Sequence, residues 1–168
     1  VKEIRFQELT SSPNLFKQIH DEMNVMEMLR HPNIVEYYGI EVHREKVYIF
    51  EEYCQGGSLA QLLEHGRIED EIVLQVYALQ MLDGLMYLHS QGVVHRDIKP
   101  DNMRLDAQGN LKIADFGLCS VYKYKGRERT LHGTCGSLPY IAPEMNGRPY
   151  QGEPVDVWSS GVVLFALL

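Results

Sequence analysis

His95-Arg96-Asp97-Ile98-Lys99-Pro100-Asp101-Asn102 is the stretch on which the reading of this chain turns. Two carboxylates, two cations and a carboxamide make it too polar for a core, so it is a loop. It follows the longest apolar-periodic segment, about Glu69 to Ser90, which predicts a helix with Ile72, Val76, Leu79, Leu82 and Met86 on its buried face and Gly92 as its stop. Thirteen residues beyond Asn102 stands Asp115-Phe116-Gly117, directly after the strand-like Leu111-Lys112-Ile113-Ala114, and Ala142-Pro143-Glu144 comes later.

Upstream, Val1 to Phe6 reads as the tail of a strand. Ser12-Pro13 predicts a helix start, hydroxyl cap then proline, with Leu15, Ile19, Met23 and Met26 on one face up to Leu29. His31-Pro32-Asn33 ends that helix, because a residue before proline resists helical geometry. Ile34 to Val42 and Lys46 to Phe50 read as strands around a polar turn at His43-Arg44-Glu45. A short helix is expected over Ser58 to Glu64, two short strands around the Gly109 turn, and a last helix, apolar nearly all round, opened by Pro154. Strands and one helix first, then mostly helices, give an α+β chain in two unequal parts.

The 168 residues carry 16 Lys+Arg against 23 Asp+Glu, a net charge of −7, which argues against a nucleic-acid partner, since phosphate affinity needs a basic face. The basic residues gather at Lys123, Lys125, Arg127 and Arg129. Cys54, Cys119 and Cys135 are odd in number with no close pair, which fits neither a disulfide framework nor a zinc site and points to a reducing compartment. The expected location is therefore cytoplasmic, with the nucleus as the alternative. No run approaches the ~20 apolar residues of a membrane span, so no membrane partner is expected.

Together, the eight-residue loop, Asp115-Phe116-Gly117, Ala142-Pro143-Glu144, Lys2 at the end of a strand and Glu22 on the helix after it resemble the eukaryotic protein kinase family. The resemblance implies a bilobal fold: residues 1–51 as part of the small lobe, 52–58 as hinge and 59–168 as part of the large lobe. The glycine-rich loop strands and the helices beyond the central one would lie outside the chain, truncating the fold at both ends.

The resemblance also implies roles. Asp97 would orient a substrate hydroxyl and accept its proton, and Lys99 would bring positive charge to the transferring phosphoryl group. Asn102 and Asp115 would bind Mg²⁺, and Lys2, fixed by Glu22, would hold the ATP phosphates. Glu52 and Cys54 would meet the adenine at the hinge. Lys99, two residues after the candidate base, favours a Ser or Thr acceptor on a protein substrate. Arg96 is expected to pair with a phosphate on the segment from Asp115 to Glu144, placed there by an upstream activating kinase. Thr130 is the favoured acceptor over Thr134, and Ser137 is expected to contact Asp97 and Lys99 instead. Asp156 would hold the catalytic loop through its backbone, while His95, Phe116 and Met26 would form an apolar column between the lobes.

Within the family two likenesses divide the chain. Residues 1 to about 102, carried by Glu41-Val42-His43-Arg44-Glu45-Lys46-Val47-Tyr48-Ile49-Phe50, resemble fungal MAP kinase kinase kinases of osmotic stress. From about 109 onward, Cys135-Gly136-Ser137-Leu138-Pro139-Tyr140 and Glu153-Pro154-Val155-Asp156-Val157-Trp158 resemble DNA-damage checkpoint kinases. Two positions depart from the family: Glu51 stands where it has an apolar residue or Thr, and Arg104 where an apolar residue floors the adenine. They support an alternative, a kinase-like module that binds or regulates without catalysis; a further alternative, a fragment without function, rests on the apolar last helix. Ser58 after Gly56-Gly57, in place of an acid, argues against a strong arginine requirement in the substrate.

Overall fold

Alternation in the strands Lys2–Arg5 and Lys46–Glu51 turns Ile4, Val47 and Ile49 inward, whereas Tyr37–His43 is largely exposed beyond Tyr37, Ile40 and Val42 included. The computed structural model describes residues 1–5 and 13–168, the side chains of 13–18 excepted. In it β1 (Lys2–Arg5) and β2 (Tyr37–His43) flank β3 (Lys46–Glu51) in an antiparallel sheet. Ile4, Val47 and Ile49 point inward and share a core with Ile19, Val25, Met26 and Leu29 of α1 (Pro13–Met28) and the turn after it. The expected cap at Ser12 lies outside the described residues.

The residues that stop α1 also tie the two parts together. Asn33 Nδ2 donates to Leu111 O at 2.8 Å, Ile113 N to Asn33 O at 2.8 Å, and Val35 N to Ile113 O at 3.0 Å. Residues 33–35 thus run beside β7 (Leu111–Ile113), which pairs with β6 (Met103–Leu105), which pairs with β4 (Gly57–Ser58). Ser58 also caps α2 (Leu59–Leu63) through a reciprocal capping box with Gln61.

Asp70 caps α3 (Glu71–Ser90), accepting from Ile72 N and Val73 N at 2.8 and 3.3 Å. The face of this helix expected to be buried is the outer one: Ile72 is 72% exposed, and Leu79 and Met86 are 67% exposed. The buried stripe is Met81, Gly84, Leu85 and Leu88, with Leu74 and Tyr77 half-buried in line with it. Two apolar stripes at helical spacing occupy one helix, and periodicity cannot rank them. Gly84 does, because a Cβ there would lie 2.9 Å from Ile113 Cδ1 and 3.0 Å from Asn33 O, so that side makes the close approach.

Beyond α3, β5 (Val93–Val94) pairs with β8 (Ser120–Val121), and β9 (Lys123–Tyr124) forms a hairpin with β10 (Arg127–Glu128). The last helix, α4 (Gly152–Leu167), turns Val155, Asp156, Ser159, Ser160, Val163 and Leu167 inward, while Phe165 is 81% exposed. Three polar side chains are buried there because each has a partner: Ser159 Oγ donates to Tyr140 O at 2.7 Å and Ser160 Oγ to Asp156 O at 2.7 Å, and Asp156 serves the loop described below. Cys54, Cys119 and Cys135 are free thiols; burial pushes Cys54 up to about 11 and Cys119 up to about 12. No helix among the described residues is long and apolar enough to cross a membrane.

Candidate active site

The loop His95–Asn102 leaves β5 with its backbone bent, Arg96 at φ +67°. Asp156, fully buried, holds this bend: Oδ2 accepts from His95 N at 2.9 Å and Oδ1 from Arg96 N at 2.8 Å. His89 Nε2 lies 2.9 Å from the same Oδ2. His95 in turn packs edge-on against Phe116, ring centroids 5.1 Å apart, in the core that also holds Met26. The Asp156 anchor stands where the sequence put it, and of the expected apolar column the His95–Phe116 contact is present.

Asp97 is the hub of the loop. Its Oδ1 accepts from Ser137 Oγ at 2.9 Å, and its Oδ2 lies 3.1 Å from Lys99 Nζ, which donates to Ser137 Oγ at 2.7 Å. Asn102 Nδ2 donates to Asp97 O and Oδ2 at 2.8 and 3.1 Å. With the nitrogen of that carboxamide engaged, its oxygen is the atom left for a cation. Asp115, exposed and at φ +64°, follows β7, next to Ala114, whose N–H donates to Asn102 O at 2.9 Å. Among the described residues no group of three or more His, Cys, Asp or Glu could hold a metal unaided. A carboxamide oxygen and one carboxylate fit a Mg²⁺ ion that takes its other oxygens from phosphate and water.

Between the three-stranded sheet and the β6–β7 pair lies a cleft of about 280 Å³, lined by Lys2, Glu22, Glu51, Cys54, Arg104 and Asp115 among others. Lys2 Nζ is 3.2 Å from both oxygens of Glu22, which is 4% exposed. Burial pulls the Lys2 ammonium down while the charges of Glu22 and Asp115 push it up, and the net is upward. Burial pushes the Glu22 carboxyl up against the opposing pull of Lys2. Glu52 is held by Lys112 Nζ at 2.7 Å, and its N–H donates to Glu36 O at 2.8 Å.

Burial also pushes the Glu51 carboxyl up; Lys2 opposes it, and Glu22 and Asp115 add to it. The folded state therefore holds the Glu51 proton at higher pH than the unfolded chain does. That makes Glu51 a cost above its raised value, relieved as pH falls from there toward the ordinary 4.5. Glu51→Gln is expected to melt higher than the parent at neutral pH, with the advantage shrinking over that window. Thermal melts from pH 8 to 4 check this, and parallel curves would refute it.

Arg104 is exposed in the same cleft, close enough to Cys54 for its charge to lower the thiol's pKa. An apolar side chain there would cover a ligand's flat face, worth ~1–3 kcal/mol, or roughly 10- to 100-fold in affinity. Arg104→Leu is accordingly expected to tighten ATP binding by that factor in calorimetry, and equal affinities would rule the effect out.

Arg96 does not wait for a partner: Nε donates to Leu118 O at 2.8 Å and Nη1 to the Tyr150 hydroxyl at 3.3 Å. Thr130 is exposed beyond Arg129, whose Nε donates to Val121 O at 2.8 Å. Thr134 Oγ1 donates to Met145 O at 2.6 Å. Sequence reasoning did not single out His89 or Tyr150. Both sit in segments whose periodicity and turn residues say nothing of a polar partner 67 and 54 residues away.

A protein kinase domain family model matches residues 1–168. Serine/threonine-protein kinase CHK1 of Mycosarcoma maydis is 66% identical over 122 residues, 73% of this chain and 18% of that protein. MAP kinase kinase kinase wis4 of Schizosaccharomyces pombe is 49% identical over 179 aligned residues, covering 100% of the chain and 13% of the relative. MAP kinase kinase kinase SSK2 of Saccharomyces cerevisiae is 46% identical, again over 100% of the chain and 13% of the relative. Both likenesses expected from the sequence are found. The chain spans less than a fifth of each of these relatives.

Proposed function

Because the chain belongs to the protein kinase family, we propose that it is part of the catalytic unit of a serine/threonine kinase, which moves the γ-phosphoryl group of ATP to a Ser or Thr hydroxyl of a protein substrate. The observation that carries this is the contact of Lys99 and Asp97 with one hydroxyl, Ser137 Oγ, at 2.7 and 2.9 Å. An incoming hydroxyl has the same chemistry as that Oγ.

In this reading Asp97 orients the acceptor hydroxyl and takes its proton, and Lys99 brings its charge to the phosphoryl oxygens. Lys2, braced by Glu22, holds the phosphates, and the backbone around Glu52 and Cys54 meets the adenine edge above Arg104. Asn102 and Asp115 hold Mg²⁺, which supplies neutralisation of phosphate charge. Thr130, exposed beside the basic hairpin, is the proposed phosphate acceptor of an upstream kinase, and Arg96 its proposed partner. Residues 52–58 act as the hinge between the lobes, and the protein works in the cytoplasm or the nucleus.

The test is γ-phosphate transfer to a Ser/Thr peptide by the protein as its gene encodes it. Asp97→Ala should lose transfer while keeping nucleotide affinity, and Asp115→Ala should lose both. Glu51 and Arg104 in the cleft favour a second reading, a kinase-like module without catalysis. Transfer absent from the parent, with partner binding intact, would select it.

A further inference from the structure

One phenol joins three separate segments beside the candidate base. The Tyr150 hydroxyl accepts from Arg96 Nη1 at 3.3 Å and donates to Gly133 O at 3.1 Å. Its own backbone makes a two-bond bridge with Leu131, at 2.9 and 3.0 Å. The ring is 4% exposed and packs with Leu131, Met145 and Val155. Four residues past Gly133, Ser137 touches Asp97 and Lys99. Between them Gly136, at φ +100°, passes so close to Arg96 O that a Cβ would lie 2.7 Å away.

We propose that Tyr150 is a positioning residue for phosphoryl transfer: its hydroxyl bridges Arg96 to Gly133 and so holds residues 131–137 against Asp97 without a phosphate. A phenol suits the position because it has one proton to give and lone pairs to offer. The proton goes to the Gly133 carbonyl, and the oxygen faces the guanidinium, a charge-assisted contact stronger than a neutral one. Burial raises its pKa, so the hydroxyl keeps that proton through the neutral range. A phosphate on the same segment would compete for Arg96 with greater charge. The inference rests on reading the site as one of phosphoryl transfer.

Tyr150→Phe keeps the ring and removes only the hydroxyl. In the protein as its gene encodes it, amide hydrogen exchange over 131–137 should accelerate about tenfold, the weight of one hydrogen bond to a charged group. Transfer to a Ser/Thr peptide should lose about tenfold in kcat/KM through the peptide KM, with the KM for ATP unmoved. Arg96→Met should accelerate the same amides, and adding Tyr150→Phe to it should have a smaller effect than Tyr150→Phe has in the parent, since the two variants share the Arg96–Tyr150 contact and only the second removes the bond to Gly133 O. Unchanged exchange in either single variant, or fully additive effects, would overturn the proposal. Should Tyr150→Phe fail to fold, the exchange map of Arg96→Met, which leaves the ring in place, decides alone. A parent protein without transfer activity would defeat the phosphotransfer reading, and the exchange data would still decide the bridge.

Discussion

Asp156→Ala is expected to abolish phosphoryl transfer and to lower the melting temperature by roughly 6–20 °C. The carboxylate is fully buried and accepts from His95 N and Arg96 N, with His89 Nε2 at 2.9 Å. Alanine removes every one of these acceptors at once and leaves buried N–H groups with no water to replace them. The cost is about 3–5 kcal/mol, since each hydrogen bond to a charged group is worth about 1.5–3. The loss falls on the residues next to Asp97, so activity should disappear at temperatures where the fold survives. Asp156→Asn, which keeps one acceptor oxygen, should fall between the two in melting temperature. Circular dichroism melts with a transfer assay at 20 °C check both effects. A variant that melts within about 2 °C of the parent would mean that the anchor is not the carboxylate.

Asp97→Ala should reduce kcat by about 10²- to 10⁴-fold, the usual weight of a positioned proton acceptor. Nucleotide affinity should stay, because Lys2, Glu22 and Asp115 line the cleft independently of the Asp97 side chain. The fold should stay too. Lys99 Nζ keeps its bond to Ser137 Oγ at 2.7 Å, and Asn102 Nδ2 keeps its bond to the Asp97 carbonyl at 2.8 Å. The contrast with Asp115→Ala separates loss of the proton acceptor from loss of the cation ligand. Equal turnover in Asp97→Ala and the parent would remove the phosphotransfer reading altogether.

Much of the site was legible because its chemistry sits in a short polar string. Eight residues at 95–102 bring a carboxylate, an ammonium and a carboxamide within one loop, and the contacts among Asp97, Lys99 and Asn102 follow from their closeness in sequence. The contact with Ser137, 40 residues away, was legible only through the family resemblance. His89 and Tyr150 carried no signal of either kind. A histidine in a last helical turn and a tyrosine before a helix are ordinary residues until the fold supplies Asp156 and Arg96 as partners.

The sequence by itself marked the longer elements and the family: apolar patterning marked the first strands and the helices, proline and glycine stops marked helix ends, and the spaced motifs carried the likeness to protein kinases. Those signals are local or combinatorial, and they survive without knowledge of what packs where. Only the tertiary structure decided which apolar stripe of α3 faces inward, which partner Arg96 has, and that α4 buries Asp156, Ser159 and Ser160 while Phe165 points outward. The reason is physical. A hydrophobic period records that a face can be buried, and a polar side chain records that it needs a partner. Which face and which partner depend on close approaches between distant segments, such as Gly84 against Asn33 and Ile113.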